Sequence, residues 1–246
     1  MIRQYTNQET EDFKSWPGGP SKPEVLTSSI GFNRFTWDFR KTSIPAVKDV
    51  FVLGDYTGNR IIPGEYTLRL RSGDQLSETT VSVLANPNIV ATTQDYTDQE
   101  AFLNEVDSLV TDIHLSVNKM RDAKGQLETY KTRMSSNEAY EPLAEKTDSL
   151  ILAIEAWEEH LIQPRQKTFQ DVINFDNKLN AELMHLKSYV AGNDPRITAG
   201  AKARLEDLKT QWTALKQQQE KISGSEFEKF NAMYRSYEVP AIIMND

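Results

Sequence analysis

The sequence predicts a multidomain β plus α protein: a small immunoglobulin-like β-sandwich over residues 1–90, lacking part of its first strand, followed by an antiparallel helical bundle over 95–246. Three observations carry this reading. Apolar residues alternate at period two in stretches before Pro87. After it they recur at steps of three and four. Turn and cap signals separate the two regimes, so the boundary falls near "ANPNIVATTQDY".

In "NRFTWDF", Phe35, Trp37 and Phe39 share one face, with Arg34, Thr36 and Asp38 on the other. In "GEYTLRLR", Tyr66, Leu68 and Leu70 oppose Thr67, Arg69 and Arg71. One apolar face at period two describes a half-buried antiparallel strand. "RSGDQ" supplies a Gly-containing turn and "TVSVL" the next strand, so residues 65–84 read as a hairpin entered through Pro63-Gly64. Trp37, between two phenylalanines, is expected in the sandwich core.

The helical half opens with "TDQE", Thr97 to Glu100, a capping box. Phe102, Val106, Leu109, Ile113, Val117, Met120, Leu127, Tyr130 and Met134 then mark one face of a long helix. A second stripe is Leu143, Leu150, Ile154, Trp157 and Leu161, stopped by Pro164. A third runs from Val172 and Phe175 through Leu179, Leu183 and Leu186 to Val190, where "AGNDP" breaks the chain. A fourth, capped by Thr198, carries Leu205, Leu208, Trp212, Leu215 and Ile222. "SEFE" at Ser225 opens a short fifth helix with Phe227, Phe230 and Tyr234. Narrow stripes with charged flanks bury against one another, and short connections make neighbours antiparallel, which gives an up-and-down four-helix bundle with a short fifth helix. With its own apolar seams the bundle is expected to fold without the β part.

Composition limits the function classes. A net charge of −8 argues against nucleic acid and against anionic membrane surfaces, which select for excess Lys and Arg. The absence of cysteine removes disulfides, thiolate nucleophiles and sulfur-ligated metals. "MIRQYTNQETEDF" holds no apolar run, so no signal peptide is expected there, and "SLILAIEAW" is too short to span a bilayer.

Chemistry-bearing motifs are sparse. His114, His160 and His185 are scattered along helices and read as solvent-facing or internally satisfied. Glu155, Glu158 and Glu159 beside His160 lack H-E-x-x-H spacing. No Gly-rich phosphate loop or G-x-S-x-G elbow occurs. No catalytic residue, metal or cofactor is therefore expected, although a pair of acids meeting only in space escapes a motif search. Candidate ligand contacts are Tyr56, in the loop "GDYTGNR" and expected to be exposed, with Asp38, Arg40 and Arg69 as a polar patch on the strands.

The stretches "GFNRFTWDFR", "PGEYTLRL" and "VSVLANP", followed by "IEAWEE", "QDVINFDNKLNAEL" and "DPRIT", resemble the C-terminal region of bacterial BNR or sortilin-like β-propeller proteins, labelled glycosyl hydrolases or sialidase-like. The similarity covers nearly the whole chain. It implies a propeller preceding this region and holding any active site, with the parent periplasmic or extracellular. "MIRQY" is similar to the tail of the sandwich's first strand, so the chain is expected to start inside a domain. The segment around Lys48 to Gly58 is shorter than in that family. The resemblance implies a non-catalytic C-terminal structural or interaction region that packs on the propeller of its parent. A carbohydrate-binding accessory module is the alternative, and a hydrolase site within the chain a weaker one. An incomplete sandwich leaves an open edge, so a weak homodimer through that edge is expected.

Overall fold

A computed structural model describes residues 1–134, 137–192 and 194–240. Two strands, β1 (Gly64–Ser72) and β2 (Gln75–Val83), precede five α-helices: α1 (Thr93–Met134), α2 (Glu141–Glu158), α3 (Leu179–Val190), α4 (Ala199–Lys221) and α5 (Phe227–Ser236).

α1 is the spine, roughly 60 Å long at 1.5 Å per residue. It starts four residues before the expected capping box. Thr92 and Asp95 cap it instead: the Asp95 carboxylate accepts from the Thr92 backbone N–H at 2.8 Å and the Thr92 hydroxyl accepts from the Asp95 N–H at 3.1 Å. Thr97 lies inside the helix and donates back to Thr93 O. α2 lies antiparallel to the C-terminal half of α1, as the pairs Arg121–Glu158, Lys124–Glu155 and Lys131–Asp148 show. α3 lies antiparallel to its N-terminal half, through Lys187–Asp107 and Gln99 donating to Val190 O. The start of α3 is tied to the end of α2 by Leu179 N–H to His160 O and Asn180 N–H to Leu161 O. These two helices therefore form one interrupted row, and residues 162–178 are an excursion from it. α4 returns parallel to α1 through Lys209–Glu105 and Lys216–Asp112. A π-helical turn, Ile222–Glu226, runs α4 into α5 without a break. Ser225 donates to Lys221 O within that turn and caps nothing. Thr198 does cap α4, accepting from Ala201 N–H at 3.1 Å. The helices thus pack as three rows, α1, α2 with α3, and α4 with α5, the middle row antiparallel to the other two, since neither the excursion after α2 nor the π-helical turn reverses the chain. Asn193, within the "AGNDP" break, lies outside the described residues.

The apolar stripes meet in one core that includes Val106, Ile113, Val117, Leu143, Ile154, Trp157, Leu183, Leu205 and Trp212. Ile44, Val47, Val50, Val52 and Tyr56 belong to the same core. They lie on an arch, residues 40–61, whose two legs are joined by an Arg40–Arg60 antiparallel bridge, Lys41 N–H to Asn59 O and Ile44 N–H to Tyr56 O.

The immunoglobulin-like sandwich expected over 1–90 is not present: the described residues contain one two-stranded antiparallel sheet. Alternation did not find a covered apolar face: Phe35, Phe39, Leu68 and Leu70 are exposed, and the buried apolar residues of this part, Ile44, Val47, Val50, Val52 and Tyr56, belong to the helical core. The "NRFTWDF" stretch is not a strand. Asn33 folds it into a turn by accepting from Ser29 N–H and donating to Ser29 O, and Phe39 takes a positive φ of 59°, which ends an extended run. Trp37 is half-buried rather than in a core, its indole N–H donating to Arg40 O at 2.9 Å. The 65–84 hairpin does form.

Candidate interaction surface

One face of α1 holds the arch by its backbone. His114, Asn118 and Arg121 stand at i, i+4 and i+7, the spacing of a helical face. His114 Nδ1 lies 2.7 Å from Pro45 O, so Nδ1 carries the proton and donates. Asn118 donates to Ala46 O at 2.9 Å and Arg121 to Lys48 O at 3.0 Å. Arg121 also forks onto Glu158 of α2. His114 is fully buried, with Asn180 of α3 donating toward its Nε2 and Tyr56 of the arch beside its ring. Burial holds the His114 pKa below the usual imidazole value, with the Pro45 hydrogen bond opposing that shift.

The second leg of the arch is fixed by a buried charge. Lys187 of α3, 4% exposed, reaches Thr57 O at 2.7 Å and the Asp107 carboxylate at 2.7 Å. Asn59, 1% exposed, donates to the other Asp107 oxygen at 2.6 Å. Desolvation raises the Asp107 pKa and outweighs the opposing pull of Lys187. Gly58 passes so close to the first leg that a Cβ there would stand 2.2 Å from Lys41 O.

The hairpin leaves the arch through Ile62 and Pro63. Its root is tied by the Tyr66 hydroxyl donating to Ile62 O at 2.7 Å. Gly73, φ 57°, takes the first central position of the two-residue turn, where a type II′ hairpin needs glycine. Beyond that root the hairpin is solvated. Leu68, Leu70 and Leu76 are each at least 43% exposed, and among the described residues no backbone hydrogen bond reaches either strand from outside the pair. A lone two-stranded hairpin is marginal in water, so both edges and the Tyr66–Leu68–Leu70 face stand open for further contact.

Residues 1–39 are irregular and rest on the arch at a few points, Trp16 donating to Val50 O and Thr42 to Ile2 O. Arg3 stacks over Tyr5, which packs on Phe35. Ile30 and Phe32 are almost fully exposed.

The four expected ligand contacts are not one patch. Asp38 and Arg40 are neighbours, Asp38 taking Arg3 at 3.1 Å and Arg40 at 3.9 Å. Arg40 is also spent on Gly58 O. Arg69 is on the hairpin, paired across strands with Glu78 at 2.5 Å. Tyr56 is 4% exposed, not a surface loop residue, and burial pushes its phenol up to about 12. The Asp107, Asn118 and Arg121 contacts were missed. Their signal is present: with His114 they recur at +7, +4 and +3 beside the apolar stripe, so α1 carries a second, polar line of contact.

Two shallow hollows mark the surface. One of about 480 Å³ lies at Lys48, Asp49, Asn118, Arg121 and Asp122, where the arch meets α1. The other, about 390 Å³, lies at Asn88–Val90, Asp194 and Arg196. Among the described residues no group of three or more His, Asp or Glu could hold a metal, and no helix is long and apolar enough to cross a membrane. No family model, curated protein or solved structure matches the chain.

Proposed function

We propose that this chain is a non-catalytic structural and interaction region, in keeping with its resemblance to the C-terminal region of exported β-propeller proteins. The helices and arch are the scaffold. The hairpin and the irregular N-terminal stretch are the attachment surface, and a β-rich neighbour such as a propeller is the partner class. The observation that carries this reading is the projecting hairpin, with unpaired edges and exposed leucines. An open strand edge accepts another strand by main-chain hydrogen bonding, which serves equally for a neighbouring domain or for a weak homodimer. The polar groups beneath the arch support the same reading, since buried His114 and Lys187 and half-buried Asn118 and Arg121 all hold arch backbone.

Hydrogen exchange tests the proposal. The chain is compared alone and with the propeller polypeptide of the parent protein added. New protection over 64–83 and the first 39 residues, with the helices unchanged, supports attachment. Absence of new protection, or saturable binding of a glycan at millimolar concentration, overturns it.

A further inference from the structure

We propose that β1 pairs antiparallel with β1 of a second copy of this chain, with Leu68 opposite its own symmetry mate, so that two hairpins make one continuous sheet. The inference rests on the interaction reading above and names one partner for it.

The stereochemistry selects the edge. The two-residue turn makes Ser72 and Gln75 a hydrogen-bonded pair, so Leu70, Leu68 and Tyr66 also turn their backbone groups toward β2. The N–H and C=O groups of Glu65, Thr67, Arg69 and Arg71 then point outward. Leu68 is the central residue of the nine-residue strand. Antiparallel pairing about it sets Glu65 against Arg71, Thr67 against Arg69 and Tyr66 against Leu70 of the other copy. Opposite charges meet on one face, twice by symmetry. On the other face Tyr66, Leu68 and Leu70 of both copies form one apolar strip, and the two Leu68 side chains meet at a non-hydrogen-bonded position, where side chains are closest. All these residues are exposed except half-buried Tyr66.

The alternatives are poorer. Pairing about Thr67 sets Glu65 against Arg69, which Glu78 already holds, and leaves Arg71 opposite Pro63. Pairing about Arg69 opposes that arginine to itself. Pairing of β2 about Thr79 sets Leu76 against Ser82 and Glu78 against Thr80, with no charge match.

Sedimentation equilibrium on the full chain, from micromolar to millimolar concentration, decides the matter. A concentration-dependent dimer is expected. Thr67→Pro removes an outward N–H that β2 does not use, and should give a monomer with unchanged circular dichroism. Glu65→Arg should weaken the dimer about tenfold, by replacing two attractive pairs with two repulsive ones. The double variant Glu65→Arg/Arg71→Glu should restore it, a rescue that loss of folding cannot imitate. A monomeric wild type at millimolar concentration overturns the second copy as partner and leaves attachment to a propeller to its own test. A dimer indifferent to all three variants overturns the β1 register while keeping association.

Discussion

Replacing Lys187 by Ala should loosen the arch from the bundle. The Lys187 ammonium is almost out of solvent; it donates to the Thr57 carbonyl at 2.7 Å and pairs with the Asp107 carboxylate at 2.7 Å. Removing it leaves Asp107 charged in a buried position with Asn59 as its remaining side-chain donor, and leaves Thr57 O without a partner. Breaking a buried pair from one side costs about 3–5 kcal/mol. The lower end applies because 17% of the Asp107 side chain reaches solvent. A loss of about 3 kcal/mol lowers Tm by about 6–12 °C in a chain of this size. Urea unfolding followed by circular dichroism measures it.

Acid supplies an internal control. Burial places the folded pKa of Asp107 above its unfolded value, so the folded state holds the proton more tightly, and stability falls as pH rises through the window above 3.8. Without Lys187 that window widens upward. The deficit of Lys187→Ala should therefore be largest near neutrality and shrink as pH falls toward the carboxylate range. Lys187→Met with Asp107→Asn removes both charges but keeps an acceptor for Asn59, and should recover most of the loss. A deficit below about 1 kcal/mol, or one indifferent to acid, would show that the pair does not hold the arch.

Other expectations follow from the same contacts. Gly58→Ala should cost about 1–3 kcal/mol by forcing the legs apart at Lys41 O, and limited proteolysis should then cut within 40–61 faster than in wild type. The His114 imidazole is held neutral by burial, so its contribution is full above its unfolded pKa and fades as pH falls below about 6.5; His114→Gln should flatten unfolding free energy against pH in that range. A polypeptide starting at Thr93 should melt with poor cooperativity, because Ile44, Val47, Val50, Val52 and Tyr56 are then missing from the core; a sharp transition at the full-length Tm would refute the shared core. The last case reverses what apolar seams alone imply about the helices, since those seams are covered in part by the arch.

The first, second and fourth helices were legible because each carries a stripe at helical spacing whose positions are mostly buried, whereas the third stripe's Val172 and Phe175 precede α3 and the fifth buries only Phe230 fully. The hairpin was legible because its turn chemistry is local: Gly73 at positive φ fixes two strands whatever surrounds them. The layer that covers an apolar face is a long-range fact. Val47, Val50 and Val52 fall within the span expected to be a sandwich and join the helical core instead, with no local residue marking the choice. Row number was hidden for a similar reason. α2 ends at Glu158, ahead of Pro164, and whether the chain then reverses or resumes depends on contacts such as Leu179 with His160, which spacing does not encode. Tyr56 was misplaced because a polar, Gly-rich loop normally lies in solvent, whereas this one is pinned by Lys187 and Asp107 from helices far along the chain.

The use of directional contacts to hold the arch bears on the proposed interaction role. Apolar burial is non-directional, so the arch valines by themselves would tolerate sliding along α1. Hydrogen bonds from His114, Asn118 and Arg121 to the carbonyls of Pro45, Ala46 and Lys48 fix its register residue by residue. Lys187 fixes the returning leg, and β1 begins three residues after Ile61, whose N–H is bonded to Phe39 O. The root of the hairpin is thus clamped while its far end is free. Strand pairing at that free edge needs alignment to within one residue, since a slip of one turns every side chain to the wrong face. A clamped root restricts the orientations of β1 before association, which lowers the entropy lost on pairing. Variants that loosen the arch, Lys187→Ala among them, should therefore weaken association through β1 although they touch no residue of the hairpin.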